Sequence, residues 1–370
     1  MKKRLLDIQL FSTIWILAFG FPCLSQDVSW AEPLEQCWSI PSATMSRIPI
    51  ASDNDLIFFL PQTPSTIKGF KANTGDLLWS TEIGGSLSPG ITYTGDVLRT
   101  PGIVDSGDGS RSIRFYSIDT QTGIYKNSSE IPFPSDRLAA FGEGKAAILG
   151  FAGDLLITDS QKTVPGLRLS GDGFIGISES EGEFYAWTKR AIYPIDSEYP
   201  GSTSQKLEIE ETASGSFLRS GDLLFVGTKE GSVYALDIKD GSVLWRSRTG
   251  GEIDGLSMDR EDLIVISRDN FVYKLSRNSG QRIWKRKLAG RIVGSVELNE
   301  DYSAFLSFGS NDVHVIRMND GRVVNAFEVD NAAFFVSPPL KVAGILIVPY
   351  DRGVLGIARK STCGKEKDGP

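Results

Sequence analysis

Short apolar runs separated by polar turns recur along most of the chain. The runs LIFFL (56–60), LLFV (223–226), LIVI (263–266) and ILIV (345–348) contain no polar residue. A strand without polar positions must be covered on both of its faces. Each run is followed by an alternating segment, a polar turn that ends in Gly, and a further strand, which is the pattern of tight hairpins. The pattern therefore predicts antiparallel strands throughout and no long amphipathic helix.

The hydrophobic pattern is also repeated. Three segments align without gaps: IKGFKANTGDLLW (67–79), VYALDIKDGSVLW (233–245) and VYKLSRNSGQRIW (272–284). In each of them an apolar residue lies five positions before a Gly, and a Trp lies four positions after it. Two further segments fit the same frame without the Trp: FYSIDTQTGIYKN (115–127) and VHVIRMNDGRVVN (313–325).

The spacing of the turn glycines gives the length of the repeat. Gly241, Gly280 and Gly321 are 39 and 41 residues apart, and Gly123 lies 118 residues before Gly241, close to three periods. We expect two degenerate units in that interval, one at AIYPID (191–196) and a weaker one around KAAILGFAGDLLITD (145–159). A period near 40 residues indicates stacked supersecondary units rather than one irregular core.

Four antiparallel strands in each repeat predict the blades of a β-propeller. Seven units have a recognisable or inferred turn, and an eighth begins with AAFFVSPP (332–339) but ends without a fourth strand. Conversely, EQCWSI (35–40) resembles a fourth strand that no unit precedes. We therefore expect an all-β, eight-bladed propeller in which the N-terminal strand completes the last blade. Seven blades is the alternative if the weak unit at 145–170 is not a blade.

The two ends of the chain differ in composition from the repeats. A basic start, MKKR, precedes the apolar run LFSTIWILAFGFPCL (10–24), which is typical of an export signal. We expect a signal at 1–25, with cleavage possible as late as residue 31, and a single-pass anchor is the alternative. A single propeller domain should follow at 32–364, with a polar tail at 365–370. Bulky residues before Cys23 argue against a lipid anchor.

Charge and composition narrow the classes of function. The net charge is −7, and removing the first 25 residues takes away three positive charges and one negative charge. Because the chain is acidic overall, we expect neither nucleic-acid binding nor binding to an anionic membrane. His314 is the only histidine, which excludes a metal site built from several histidines. It occupies the position of Tyr234 and Tyr273 in the repeat, where a half-buried side chain is expected.

The repeat resembles the tryptophan-docking motif of quinoprotein-type propellers, Ala-x-Asp-x-x-x-Gly-x-x-x-Trp. In VYALDIKDGSVLW the motif residues are Ala235, Asp237, Gly241 and Trp245. The resemblance implies that each Trp packs against the glycine region of a neighbouring blade. The residues to which we assign this structural role are Trp38, Gly75, Trp79, Gly241, Trp245, Gly280 and Trp284.

Two branches of this superfamily predict different functions. One contains dehydrogenases that bind pyrroloquinoline quinone (PQQ) and Ca²⁺, and the other contains non-enzymatic envelope proteins similar to the B subunit of the outer-membrane β-barrel assembly machinery. The chain lacks the adjacent cysteine pair of the dehydrogenases, and strands leave few residues for an inserted active site. DSGDGS (105–110) also lacks the regular ligand spacing of calcium loops.

The second branch predicts a soluble, exported, non-catalytic scaffold in the periplasm or a comparable compartment. Its partners would be envelope proteins, and we expect no cofactor, no bound metal and no membrane span after signal cleavage. The alternatives are a PQQ- or metal-dependent oxidoreductase of the same fold and a sensor that binds a small ligand in the central channel.

Two long loops are candidate partner contacts. DSGDGS should join the second and third strands of blade two, and SEYPGSTSQ (197–205) should join the third and fourth strands of blade four, on the opposite face. Long loops on a rigid scaffold are frequent binding sites, although surface filler is an equal alternative. The contact residues expected from these loops are Asp105, Asp108, Arg111 and Tyr199.

Cysteine usage predicts a link between the chain ends. After export only Cys37 and Cys363 remain, an even pair in a compartment that permits disulfides. Cys37 precedes the Trp of the closing strand, and Cys363 precedes a glycine that aligns with the turn glycines. We therefore expect a disulfide at the ring closure, and two free thiols are the alternative.

Overall fold

The computed structural model describes residues 30–41, 50–53, 55–59, 66–83, 86–87, 92–94, 96–105, 110–133, 137–142, 145–159, 163–170, 173–196, 206–329 and 334–363. These residues form strands and turns, with no helix in the described part of the chain. No helix that is long and apolar enough to cross a membrane is therefore found in these ranges. The expected signal, Gly364 and the C-terminal tail lie outside them.

The chain begins with β1 (Leu34–Pro41), and blade one contains β2 (Ile50–Asp53), β3 (Leu56–Phe59), β4 (Thr66–Lys71) and β5 (Leu77–Glu82). Blade two contains β6 (Ser86–Leu87), β7 (Thr92–Thr94), β8 (Val97–Asp105), β9 (Arg111–Asp119) and β10 (Tyr125–Pro132). Blade three contains β11 (Arg137–Gly142), β12 (Lys145–Gly150), β13 (Asp154–Asp159) and β14 (Thr163–Arg168), and blade four contains β15 (Gly176–Ser180), β16 (Glu183–Trp187), β17 (Ala191–Ile195) and β18 (Leu207–Glu208).

Blade five contains β19 (Ala213–Ser220), β20 (Leu223–Thr228), β21 (Ser232–Asp237) and β22 (Val243–Arg248), and blade six contains β23 (Ile253–Asp259), β24 (Asp262–Ser267), β25 (Phe271–Ser276) and β26 (Arg282–Lys287). Blade seven contains β27 (Arg291–Asn299), β28 (Tyr302–Phe308), β29 (Asp312–Arg317) and β30 (Arg322–Glu328). Blade eight contains β31 (Leu340–Val342), β32 (Ile345–Tyr350) and β33 (Gly353–Arg359).

The strands form eight antiparallel sheets, so the expected all-β, eight-bladed propeller is confirmed. Each blade runs outward from its first strand to its fourth, and the first strands of neighbouring blades lie side by side. Blade two differs because its inner position is divided between β6 and β7, which both pair with β8. The weak unit at 145–170 is a true blade, since β11 to β14 form a four-stranded sheet.

The N-terminal strand closes the ring. β1 pairs antiparallel with β33, from Leu34 opposite Arg359 to Pro41 opposite Gly353, with a bulge between Gln36 and Trp38. The first strand of blade eight, β31, also contacts the first strand of blade one, β2. EQCWSI is therefore the fourth strand of blade eight, as its isolated position in the sequence predicts.

The core lies between neighbouring sheets rather than at one centre. The four apolar runs lie in the second strands of blades one, five, six and eight, and Leu224, Phe225 and Val226 in β20 are fully buried. Phe225 packs toward blade six, whereas Leu224 and Val226 pack toward blade four. Alternate side chains of one strand thus fill two different interfaces, which explains why the apolar runs within these strands contain no polar position.

Strand direction separates the connections into two faces. Because successive strands of a blade run in opposite directions, the hairpins between second and third strands lie on one face with the links between blades. We call this the 2–3 face. The hairpins between first and second strands and between third and fourth strands lie on the other, which we call the 3–4 face.

Candidate functional site

Four tryptophans from the fourth strands dock on the next blade. Each indole lies against the glycine of the turn between the third and fourth strands: Trp38 on Gly75, Trp79 on Gly123, Trp245 on Gly280 and Trp284 on Gly321. These glycines have φ between +65° and +73°, a region that disfavours side chains. A Cβ at any of them would also lie 2.4 to 2.8 Å from the indole.

A hydrogen bond fixes each docked indole. The Nε1 group donates to the carbonyl oxygen three residues before the turn glycine: Ala72 for Trp38 (3.0 Å), Thr120 for Trp79 (2.8 Å), Arg277 for Trp245 (2.8 Å) and Met318 for Trp284 (3.0 Å). Trp245 is only half-buried, whereas the other three indoles are buried. Each docking contact therefore joins two neighbouring blades at the 3–4 face.

The turn of Gly241 differs from the other repeat turns. Gly241 has the same left-handed backbone, with φ of +76°. The preceding blade would have to supply the indole, but β18 contains only Leu207 and Glu208. Trp187 of blade four instead lies at the end of β16, against Gly176 and Gly215. None of the described indoles docks at the Gly241 turn.

The chain ends are linked covalently at the ring closure. Cys37 in β1 and Cys363 in the turn after β33 form a disulfide, with their Cα atoms 5.0 Å apart. Both cysteines pack against the cluster that contains Trp38 and Val354. The bond therefore ties the last blade to the strand that completes it.

Trp30 adds a contact that the repeat pattern did not predict. Its side chain is 1% exposed and packs between blades seven and eight, with Val313 and Leu346 among its neighbours. The carbonyl oxygen of Trp30 accepts a hydrogen bond from Asn325 Nδ2 at 3.2 Å. Asn325 stands at the Trp position of the blade-seven repeat. The segment before β1 thus contributes an indole where the repeat itself lacks one.

The expected contact residues are placed only in part. Asp105 ends β8 and Arg111 begins β9, and their side chains form an exposed ion pair with Nε 2.9 Å from Oδ1. The loop between them joins the second and third strands of blade two, and 197–205 joins the third and fourth strands of blade four. Asp108 and Tyr199 lie outside the described residues.

An exposed aromatic pair lies on the 2–3 face between blades seven and eight. Phe308 and Phe334 stack with their ring centroids 5.3 Å apart, although nearly half of each side chain is exposed. The backbone of Phe334 is held by Asp351, whose Oδ1 accepts from the Phe334 N–H at 3.0 Å. This pair presents a fixed apolar surface to solvent.

A cavity of about 910 Å³ opens on the outer rim between blades four and five, and we call it the rim groove. Its walls include Arg190, Tyr193, Glu208, Tyr234, Val243 and Arg246. Tyr234 is almost fully buried, and its hydroxyl has no hydrogen-bond partner. Burial raises the pKa of this hydroxyl, and the nearby Glu211 carboxylate adds to the effect.

The groove lies beside the short strand β18, and Pro194 accounts for the length of that strand. The Thr188 N–H donates to the Ala191 carbonyl, and the Ile209 N–H donates to the Arg190 carbonyl. In an antiparallel ladder the backbone N–H and C=O groups of successive residues point to opposite neighbouring strands. The backbone groups of Ala191 and Tyr193 therefore point to β16, and those of Ile192 and Pro194 point to β18. Pro194 has no N–H to donate, so the β17–β18 ladder weakens after Ile192 opposite Leu207.

The charges near the groove are partly neutralised. The Arg246 guanidinium lies 5.3 Å from the centroid of the Tyr234 ring, and it forms an ion pair with Glu211. The ammonium group of Lys206 lies 2.7 Å from Glu208 at the surface. The groove therefore offers an aromatic floor with both signs of charge at its mouth.

Two ionisable groups elsewhere in the ring are buried or half-buried. The Lys274 ammonium is nearly buried beside Trp284, and it is paired with Asp259 at 2.5 Å and Asp262 at 3.4 Å. His314 is half-buried, as its repeat position predicts, and burial lowers its pKa below the usual value. Within the described ranges, no group of three or more His, Cys, Asp or Glu side chains is placed to hold a metal ion.

Comparison with known proteins points to one propeller class. A family model described as "Outer membrane protein assembly factor BamB" matches residues 186–334, from the end of β16 to Phe334. A search of curated protein sequences finds no match.

Two solved structures share the fold at low sequence identity. The computationally designed Ika8 protein has a TM-score of 0.65 and 13% identity, over 88% of this chain and 99% of that one. BamB from Moraxella catarrhalis has a TM-score of 0.63 and 17% identity, over 89% of this chain and 98% of that one. Residues 186–334 therefore resemble the BamB-type family, and the eight blades give the described part of the chain the β-propeller fold.

Proposed function

We propose that this chain is an exported, non-catalytic protein-interaction scaffold of the cell envelope. The observation that carries the proposal is the match of residues 186–334 to the model of an outer-membrane protein assembly factor. In this proposal residues 1–25 direct export, 32–364 form the propeller domain, and 365–370 form a polar tail. The mature protein is then soluble and periplasmic, and its partners are envelope proteins.

Physical features of the ring support a scaffold. Docked indoles tie neighbouring blades together, and the Cys37–Cys363 disulfide ties the chain ends. A rigid ring presents its loops and exposed side chains in fixed positions, which lowers the entropy lost on binding. The Phe308–Phe334 pair is an exposed apolar surface of the kind that marks protein contacts.

Affinity capture tests the proposal. The purified protein, immobilised as bait, is incubated with detergent-solubilised envelope from the source organism, and the retained proteins are identified by mass spectrometry. We expect a saturable envelope partner that the double variant Phe308→Ser, Phe334→Ser retains less strongly. Ile124→Ser, at an exposed apolar residue of blade two, is the matched control and should retain the partner fully. Retention of no envelope protein above a bait-free control would contradict the proposal.

Quinone titration separates the scaffold from the oxidoreductase alternative. The purified protein is titrated with PQQ and Ca²⁺ while the absorbance of the quinone and dye-linked oxidation of alcohols and sugars are followed. We expect no stoichiometric change in the quinone spectrum and no turnover. Stoichiometric binding with turnover would replace the scaffold proposal by the enzymatic one.

A further inference from the structure

The outer strand of blade six differs in charge from the rest of the chain. The sequence of β26 is RIWKRK, with four basic residues and no acidic one, whereas the whole chain has a net charge of −7. The other described fourth strands have at most two basic residues each. Within the described part of the chain, no acidic side chain forms an ion pair with any of the four cations, which are Arg282, Lys285, Arg286 and Lys287.

The cations of β26 are distributed over both faces of the strand. Arg286 points to blade seven, where its Nε donates to the Gly321 carbonyl. Lys285 points the other way, and its Nζ lies 4.8 Å from the centroid of the Phe271 ring. Because side chains alternate along a strand, Lys287 lies on the same face as Lys285. A strand added beside β26 would therefore meet positive charge on both of its faces.

The outer side of β26 also offers backbone hydrogen-bonding groups. β26 is the last strand of its sheet, and no further strand among the described residues pairs with it. The Leu288 N–H donates to the Asn270 carbonyl, so the backbone groups of Leu288 and Arg286 point inward to β25. Those of Lys285 and Lys287 consequently point outward. Each of these lysines can form a pair of backbone hydrogen bonds with an added antiparallel strand.

We propose that β26 binds an extended acidic segment of a partner protein, which adds to blade six as a fifth strand. The inference rests on the scaffold function proposed above and gives that function a site and a partner chemistry. Strand addition supplies the backbone hydrogen bonds, and opposite charges directly across a strand pair attract each other. Ile283 is 49% exposed and offers an apolar contact beside the charges.

Protection against aggregation is another explanation for a charged edge, because lysines on an edge strand keep two sheets from pairing. The other described fourth strands lie at the edges of their sheets with at most two basic residues each, so protection alone does not account for four. The two explanations differ in one measurable respect, since only a binding strand takes up an acidic segment.

A short acidic peptide is the probe. The blocked, fluorescently labelled peptide Thr-Glu-Val-Glu-Val-Glu-Thr combines strand-forming residues with alternating carboxylates. Its binding to the purified protein is measured by fluorescence anisotropy at physiological ionic strength, where distant charges are screened. One control peptide has Lys in place of Glu. The other has N-methylated Glu residues, which keep their charge but cannot donate a backbone hydrogen bond to β26. We expect saturable binding of the acidic peptide that is about tenfold or more weaker for each control.

Two charge-reversed variants locate the binding. Lys285→Glu, Lys287→Glu changes two exposed side chains and keeps the edge charged, so the variant should fold and stay unaggregated. Lys189→Glu, Arg190→Glu changes the net charge equally at exposed residues of blade four. We expect the first variant to bind the acidic peptide about tenfold or more weakly and the second to bind it as the parent does.

Amide hydrogen exchange reports on strand addition itself. The exchange of the parent is followed by mass spectrometry with and without the acidic peptide. We expect slower exchange in residues 282–287 when the peptide is bound, because the outward N–H groups of Lys285 and Lys287 would then be hydrogen-bonded. Unchanged exchange in this segment would exclude a fifth strand.

Four further results would overturn the site. Either no binding of the acidic peptide to the parent at up to about 1 mM, or unchanged binding by Lys285→Glu, Lys287→Glu, would remove β26 as the binding strand. Equal binding of the N-methylated peptide would show attraction between charges without strand addition. Binding of the parent, but not of this variant, to phosphatidylglycerol vesicles in the absence of peptide binding would assign β26 to an anionic membrane. If the variant retains the envelope partner as strongly as the parent does, this site fails while the scaffold function stands.

Discussion

Removing one docked indole tests the stability that docking contributes. Trp79 is 7% exposed, its ring centroid lies 5.8 Å from that of Phe58, and its Nε1 donates to the Thr120 carbonyl at 2.8 Å. Truncation of a buried aromatic side chain to Ala costs about 3–5 kcal/mol. We expect Trp79→Ala to lower the free energy of unfolding by that amount. Trp79→Phe keeps an aromatic ring but leaves the carbonyl without its donor, so it should cost about 1–3 kcal/mol.

The assay is equilibrium unfolding in urea, followed by far-UV circular dichroism. Leu78→Ala is the matched control because Leu78 is the neighbouring residue and is 40% exposed, so its loss should stay within about 0.5 kcal/mol. Gly123→Ala attacks the same contact from the other side, since its Cβ would lie 2.6 Å from the indole. The Gly123→Ala substitution should lower the free energy of unfolding by less in a Trp79→Ala background, where the indole that its Cβ would meet is absent. A loss below about 1 kcal/mol for Trp79→Ala would refute the docking account.

Three further predictions concern the disulfide at the ring closure, the indole of Trp30 and the half-buried His314. Cys37→Ser should lower the urea midpoint by as much as reduction of the parent does, because both changes remove the Cys37–Cys363 bond. That bond spans 326 residues and stabilises the fold by at most about 6 kcal/mol in the chain-entropy model. A parent midpoint that does not respond to reductant would contradict this prediction. Trp30→Ala should lower the free energy of unfolding by about 3–5 kcal/mol in the same assay, because the side chain is buried between two blades. A loss below about 1 kcal/mol would show that the Trp30 contact does not stabilise the ring. Burial lowers the pKa of His314, although Asp312 opposes the effect, so the unfolded chain takes up a proton near pH 6.5 while the folded chain does not. The contribution of His314 to stability is thus complete above pH 6.5 and falls as the pH drops below that value. The variant His314→Tyr should therefore lose less stability than the parent when the pH is lowered from 7.5 to 5.5. Equal losses would contradict a lowered pKa for His314 in the folded chain.

Features governed by the repeat frame could be predicted from the sequence. The blade number and the ring closure both follow from EQCWSI, a fourth strand without its sheet, and from the last unit, a sheet without its fourth strand. The proximity of Cys37 and Cys363 is a consequence of the same topology. These features depend on backbone pairing, which a regular spacing of apolar and turn residues specifies strongly.

Features that depend on contacts outside the frame could not be predicted. Trp30 lies between the expected signal and the first strand, and only Asn325 at a Trp position hints that an indole is missing in blade seven. Lys274 occupies a buried position because Asp259 of a different strand neutralises it. The short β17–β18 ladder results from Pro194, whose missing N–H affects a pairing that the sequence pattern does not resolve.

In the proposed function this ring acts outside the cytoplasm by binding an envelope protein. Intact cells of the source organism are treated with a membrane-impermeable amine-reactive crosslinker after the outer membrane is made permeable, and products that contain this chain are identified by mass spectrometry. The account predicts a chain without residues 1–25, linked to an envelope protein through lysines of the propeller. Recovery of the full-length chain, uncrosslinked and in the cytoplasmic fraction, would contradict both export and the proposed function.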